Sequence, residues 1–147
     1  ALYRFAATLT PMSDIKPPRF GTVAAYFHVE GGGKFLDFLQ EGLGAEVTMD
    51  MRDPSGAVAH AEVLVAGLMC EVSEARPEFP ATRSAFHVFV EDPDAAHAKA
   101  IAAGATELRA VEDNPYGERS GALQDPWGNN WYFARVTDMA TRTGASS

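Results

Sequence analysis

His60 and Glu62 stand two residues apart in AVAHAEVLV, an extended run in which alternate side chains share a face. An imidazole beside a carboxylate is an acid–base pair where a substrate can reach it, and a structural hydrogen bond where none can. His28 and His87 hold matching places in YFHVE and AFHVFVE. They read either as a paired polar site or as amphipathic fillers with one hydrogen bond each. A third cluster is YGERSGALQDPWGNNWYF, which carries Tyr116, Arg119, Trp127, Asn130 and Tyr132. Arg119 suits an acidic ligand group, or equally a neighbouring carboxylate. Trp127 lies in a turn, where a large aromatic rims a pocket or meets a second subunit. Asp125, Pro126 and Gly128 carry the chemistry of the turn itself. Cys70 has no activating base near it in sequence and reads as a small core residue.

These groups need a scaffold, and the chain spells one twice. TVAAYFHVE is rich in strand formers, and the glycines at 31–33 break it. KFLDFLQEGLG repeats apolar residues at helical spacing and stops on glycine. AEVTMDMRD, AVAHAEVLV and LMCEVSEA then alternate as strands. After the proline-rich RPEFPATR the order recurs: SAFHVFVED as a strand, PDAAHAKAIAAG as a helix, then ATELRAVED, ERSGALQD and NNWYFARV as strands. The tip Glu112–Asn114 reads as a solvated acidic loop. Each βαβββ unit is too small to bury its sheet alone, so two must pair. If Ala24 faces the open side of its sheet, Tyr26 and His28 do too, while Phe27 and Val29 face the helices. His87 and Phe89 follow Ala85 in the same way. On the last strand Asn130 and Tyr132 point in, and Trp131 and Phe133 point to the core.

The sequence has 147 residues, a net charge of −8 and a pI near 4.9. That balance argues against nucleic-acid partners, whose phosphates need clustered cations, and against anionic membranes. No apolar run is long enough to span a bilayer. One cysteine excludes an intrachain disulfide and a cysteine-cluster zinc site.

The duplicated βαβββ order, with His60-Ala61-Glu62 in the third strand and Tyr116, Gly117, Arg119, Gly121, Asp125, Pro126 and Gly128 near the end, resembles the vicinal oxygen chelate superfamily. This is the glyoxalase, bleomycin-resistance and ring-cleaving dioxygenase group, and within it the chain is similar to the PhnB-like branch. The resemblance covers about residues 22–136. It implies an α+β fold: two tandem βαβββ modules forming a cupped, mostly antiparallel eight-stranded sheet with helices on the convex face. The boundaries are a flexible arm at 1–20, modules at 21–75 and 84–137 joined by a linker at 76–83, and a flexible tail at 138–147. The family's metal enzymes hold one divalent ion in the cup. The positions that match their ligands carry Ala24, Ala85, Tyr132, and either Cys70 or Glu71. Two alanines and a tyrosine do not make a metal site.

The expected function is therefore binding of a small aromatic or cationic organic molecule in the cup, of the sequestration or resistance type, with no metal and no cofactor. The expected ligand-binding residues are Tyr26, His28, His60, Glu62, His87, Phe89, Tyr116, Arg119, Trp127, Asn130 and Tyr132. A second reading is a metal-independent isomerase or lyase using His60, Glu62 and Tyr132. A third is a metal-dependent glyoxalase or dioxygenase whose ligands come from His28, His60, Glu62, Glu71 and His87. The resemblance also implies a homodimer, because open strand edges need a cover. Cytosol is the default compartment.

Overall fold

β1 (Ala25–Val29) opens the first unit, and α1 (Gly32–Leu43), β2 (Glu46–Arg52), β3 (Val58–Val65) and β4 (Leu68–Glu74) follow it. The second unit repeats the order with β5 (Ala85–Phe89), α2 (Pro93–Ala102), β6 (Thr106–Asn114), β7 (Glu118–Gln124) and β8 (Asn130–Val136). The computed structural model describes residues 15–145, so most of the arm expected at 1–20 lies outside the described residues. Within that arm, Phe20 is buried and Arg19 pairs with Glu46 at 3.1 Å.

Hydrogen bonding divides the eight strands into two four-stranded sheets of identical plan, β1-β4-β3-β2 and β5-β8-β7-β6. In each, the first strand pairs parallel with the last and the other pairings are antiparallel. The fold is α+β, with tandem βαβββ modules. The modules join through their helix-bearing sides: Phe27 packs against Phe86 and Trp131 (ring centroids 5.2 and 6.4 Å apart), and Phe86 stacks on Trp131 at 4.7 Å. The two helices also meet, because Gly42 has no side chain; a Cβ there would lie 3.0 Å from the Cβ of Ala103.

Local differences from the sequence expectation have identifiable causes. The glycine run breaks the chain only at Gly31, whose φ is 81°. Gly32 and Gly33 belong to α1, because Glu74 accepts the N–H groups of Gly31 (2.7 Å) and Gly32 (2.9 Å) and so caps the helix start. Glu112, Asp113 and Asn114 are the end of β6 rather than a loop. Asn114 Nδ2 donates to the Glu118 carbonyl (3.1 Å) and to Ser120 Oγ (3.0 Å), stitching that end to β7. Inside the tail expected at 138–147, residues Met139–Thr143 form a short helix, α3, capped by Asp138.

Candidate functional site

Strand register places the chemistry of the first module on the face away from α1. Tyr26 pairs with Glu71, Glu71 with Glu62, and Glu62 with Met49, so one row across the sheet reads Tyr, Glu, Glu, Met. Phe27 and Val29, of opposite parity, are buried in the core. Tyr26 stacks on His28 with centroids 4.6 Å apart and planes 18° from parallel, and His28 stacks on Phe79 at 5.6 Å and 16°. His28 is fixed by Ser73 Oγ at 3.0 Å from its Nδ1, and His60 by the Tyr26 hydroxyl at 3.2 Å. His60 Nε2 lies 3.7 Å from Glu62 and 4.0 Å from Glu71. The result is a shelf of near-parallel rings beside an imidazole and two carboxylates. Such a surface holds flat, electron-poor groups by stacking and attracts positive charge.

The second module is built differently. His87 pairs with Tyr132 on β8, and Phe89 with Ala134. His87 reaches across β8 to Glu118 on β7, with Nε2 2.9 Å from Oε1. The other oxygen of Glu118 accepts from Arg142 Nε on α3 at 2.9 Å, and the residue is only 2% exposed. Phe89 and Tyr132 flank the imidazole, with centroids 4.6 and 6.4 Å from it. Asn130 is tied to Gln124 at 3.2 Å, and the Tyr116 hydroxyl sits 3.4 Å from Ser120 Oγ.

Burial alone would raise the carboxyl pKa of Glu118. The bonds from Arg142 and His87 outweigh it and hold the value below the ordinary 4.5. A carboxylate held low stabilises the fold above its unfolded-state pKa, and that contribution drains as pH falls through the folded value. Glu118→Gln should therefore cost about 2 kcal/mol at pH 7, the scale of hydrogen bonds to a charged group. The gap to wild type should narrow once pH drops below the ordinary carboxyl range. Urea unfolding of both proteins at pH 7 and in mild acid checks this; a gap that stays constant with pH would refute it.

Two expected ligand contacts lie elsewhere. Arg119 pairs in register with Arg135 on the helix-bearing face, where Asp94 of α2 receives it through two bonds of 2.8 Å and Asp113 through one of 3.2 Å. Trp127 joins the modules: its Nε1 donates to the Glu30 carbonyl at 2.8 Å and its ring packs on Phe35 and Phe38 of α1. Phe79, Ser73 and Glu118 were missed as site residues. Phe79 sits in the linker, where no alternation marks it. Glu118 could have been found from its even spacing with Ser120 and Ala122 on β7.

The chelating positions do not assemble. Among the described residues no group of three His, Cys, Asp or Glu side chains has the placement to hold a metal ion. His60, Glu62 and Glu71 approach one another, while His28 is turned to Ser73 and His87 to Glu118. Cys70 is buried, and burial pushes its thiol up to about 11, so it is a neutral wall rather than a nucleophile.

The model of the glyoxalase-like domain family matches residues 26–134. The chain belongs to the glyoxalase-like domain family. An uncharacterised protein of Mycobacterium bovis is 27% identical over 114 residues, spanning 70% of this chain and 75% of that one. The crystal structure of an Arabidopsis thaliana gene product is 27% identical with a TM-score of 0.63, covering 79% of this chain and 99% of that one. A member of the glyoxalase/bleomycin resistance protein/dioxygenase superfamily from Sphaerobacter thermophilus is 25% identical with a TM-score of 0.59, covering 76% and 93%. This glyoxalase-like domain shares their fold and carries the ring shelf on its first module. None of its helices is long and apolar enough to cross a membrane, among the described residues.

Proposed function

We propose that this glyoxalase-like protein binds a flat cationic or aromatic organic molecule on the open face of its first module, without a metal, as a sequestering protein. The observation that carries the reading is the Tyr26–His28–Phe79 stack beside Glu62 and Glu71. Phe79 is 60% exposed and Tyr26 40%, an expensive way to leave aromatic area unless something covers it. The acidic balance of the chain favours a positive ligand. The superfamily name of the Sphaerobacter relative, which includes bleomycin resistance, is consistent with sequestration. A homodimer is part of the proposal, since Met49, Met51, Leu68 and Phe89 are also exposed apolar side chains that a second copy would cover.

Acid–base use of His60 and Glu62 is the second reading. It rests on their 3.7 Å approach and on the Tyr26 hydroxyl that orients the ring. Tyr132 belongs to the other module's sheet and is not part of that group.

The test is a fluorescence titration with ethidium, a flat aromatic cation, alongside analytical ultracentrifugation. The double variant Tyr26→Ala/Phe79→Ala should weaken binding at least tenfold while leaving the melting temperature within a few degrees. Glu62→Gln/Glu71→Gln should weaken ethidium more than an uncharged aromatic of similar size. Equal affinity in all three proteins would remove the first-module face as the site.

A further inference from the structure

A cavity of about 650 Å³ opens where the start of α1, the linker and the β7–β8 turn come together. Lys34 borders it from α1, Thr82 and Arg83 from the linker, and Trp127 from the turn. The stem of Arg83 lies across Gly128: a Cβ on that glycine would sit 2.8 Å from Arg83 Nε and 3.0 Å from its Cδ. Packing therefore holds the arginine in place, yet its charge is unanswered. Every other described arginine meets a carboxylate, hydroxyl or carbonyl oxygen. The Arg83 guanidinium and the Lys34 ammonium meet none among the described residues. Thr82 spends its backbone N–H on the His28 carbonyl (3.0 Å) and keeps its hydroxyl uncommitted among those residues. The helix start is not the attraction, because Glu74 already accepts its first N–H groups. Two carboxylates border the same cavity. Asp125 is occupied by its four donors in the turn, which leaves Glu30 as the one opposing charge. In a chain of net charge −8, two cations against one carboxylate make a local positive cleft.

We propose that this junction cavity binds a small organic phosphate monoester, its phosphoryl oxygens taken by Arg83, Lys34 and the Thr82 hydroxyl. A planar guanidinium fork, a point-charge ammonium and a hydroxyl come from separate positions of the chain, and three phosphoryl oxygens can accept from all of them. A carboxylate offers two oxygens in one plane and a single negative charge, which Glu30 opposes. The cavity is also far larger than a phosphoryl group and has the size of a small-molecule site. Val29, Pro126 and Trp127 supply apolar wall for an organic body. The ring shelf is a different surface, since the His28 ring is turned to Ser73 and Phe79.

Isothermal titration calorimetry of the full chain in low-salt buffer, with phenyl phosphate, benzoate and inorganic phosphate as probes, tests the assignment. Wild type should hold phenyl phosphate about tenfold more tightly than benzoate, and more tightly than inorganic phosphate, which leaves the apolar wall unused. Arg83→Gln should weaken phenyl phosphate at least tenfold, the scale of one hydrogen bond to a charged group. Lys34→Gln should weaken it in the same direction. Both side chains are exposed, so the melting temperature should stay where it is. Glu30→Gln should tighten binding, because it removes the opposing charge. Lys99→Gln is the control for general attraction: its Nζ lies 3.4 Å from where a Cβ on Gly44 would be, at the far end of α1 from Lys34, and affinity should not change. Benzoate bound as tightly as phenyl phosphate would overturn the proposal. So would inorganic phosphate bound as tightly, the mark of an adventitious ion only. No binding of phenyl phosphate, undiminished affinity in Arg83→Gln, or an equal loss in Lys99→Gln and Lys34→Gln would overturn it too.

Discussion

Asp125→Ala should lower the unfolding free energy by about 4 kcal/mol, because four donors lose one buried charged acceptor. Oδ1 of Asp125 accepts from the backbone N–H of Trp127 and of Asn129, both at 2.9 Å. Oδ2 accepts from Asn129 Nδ2 and Trp131 Nε1, both again at 2.9 Å. Asp125 is 3% exposed and Asn129 is fully buried, so water cannot easily replace the lost carboxylate. The consequences reach beyond the turn. It presents Trp127 to Glu30 and α1, and it fixes the indole of Trp131 against Phe86 and Phe27. The melting temperature should fall by roughly 15 °C for a domain of this size. Asp125→Asn is the stringent control: it keeps the shape but turns one acceptor into a donor facing donors, so it should lose most of the same stability. A loss under about 1 kcal/mol in both variants would show that the network carries little of the fold's stability.

Gly117→Ala should release α3. Gly117 has a φ of 81°, where an alanine costs roughly 1–2 kcal/mol. The larger effect is steric. A Cβ at that position would collide with the Asp138 carbonyl oxygen and sit 3.0 Å from the Arg142 backbone nitrogen. The Gly117 carbonyl also accepts the N–H groups of Thr137 (2.9 Å) and Asp138 (3.2 Å), so the start of α3 is seated directly on this glycine. α3 buries no side chain of its own, and its hold consists of this seat and the Arg142–Glu118 pair. Relief of the collision must therefore displace the helix, strip Arg142 from Glu118 and hydrate the carboxylate that orients His87. Tryptic cleavage at Arg142 should accelerate at least tenfold, with a loss of about 2–3 kcal/mol in global stability. Unchanged cleavage would mean that α3 follows the backbone without strain.

Much of the scaffold was legible in the chain itself, because the forces that set it act over a few residues. Alternation placed Phe27, Val29, Trp131 and Phe133 on the core side, and Tyr26 and His28 on the other, since a strand repeats every two residues wherever it docks. Glycine at 44 and proline at 93 marked helix ends through local backbone preference. The duplication showed as a repeated element order, and the family followed from it. Partner choice was decided by the tertiary structure. Arg119 and Glu118 are neighbours in sequence, yet Arg119 faces Asp94 on α2 while Glu118 is sealed between His87 and Arg142. Adjacent strand residues point to opposite faces, so what each one meets depends on which element the chain brings back. Phe79 joined the ring shelf from a linker with no periodicity, and Trp127 turned inward because Glu30 offered its carbonyl. The division into two sheets, and the cavity between them, likewise depends on contacts between distant segments. A local pattern determines which face a side chain takes, and only long-range packing decides what stands opposite it.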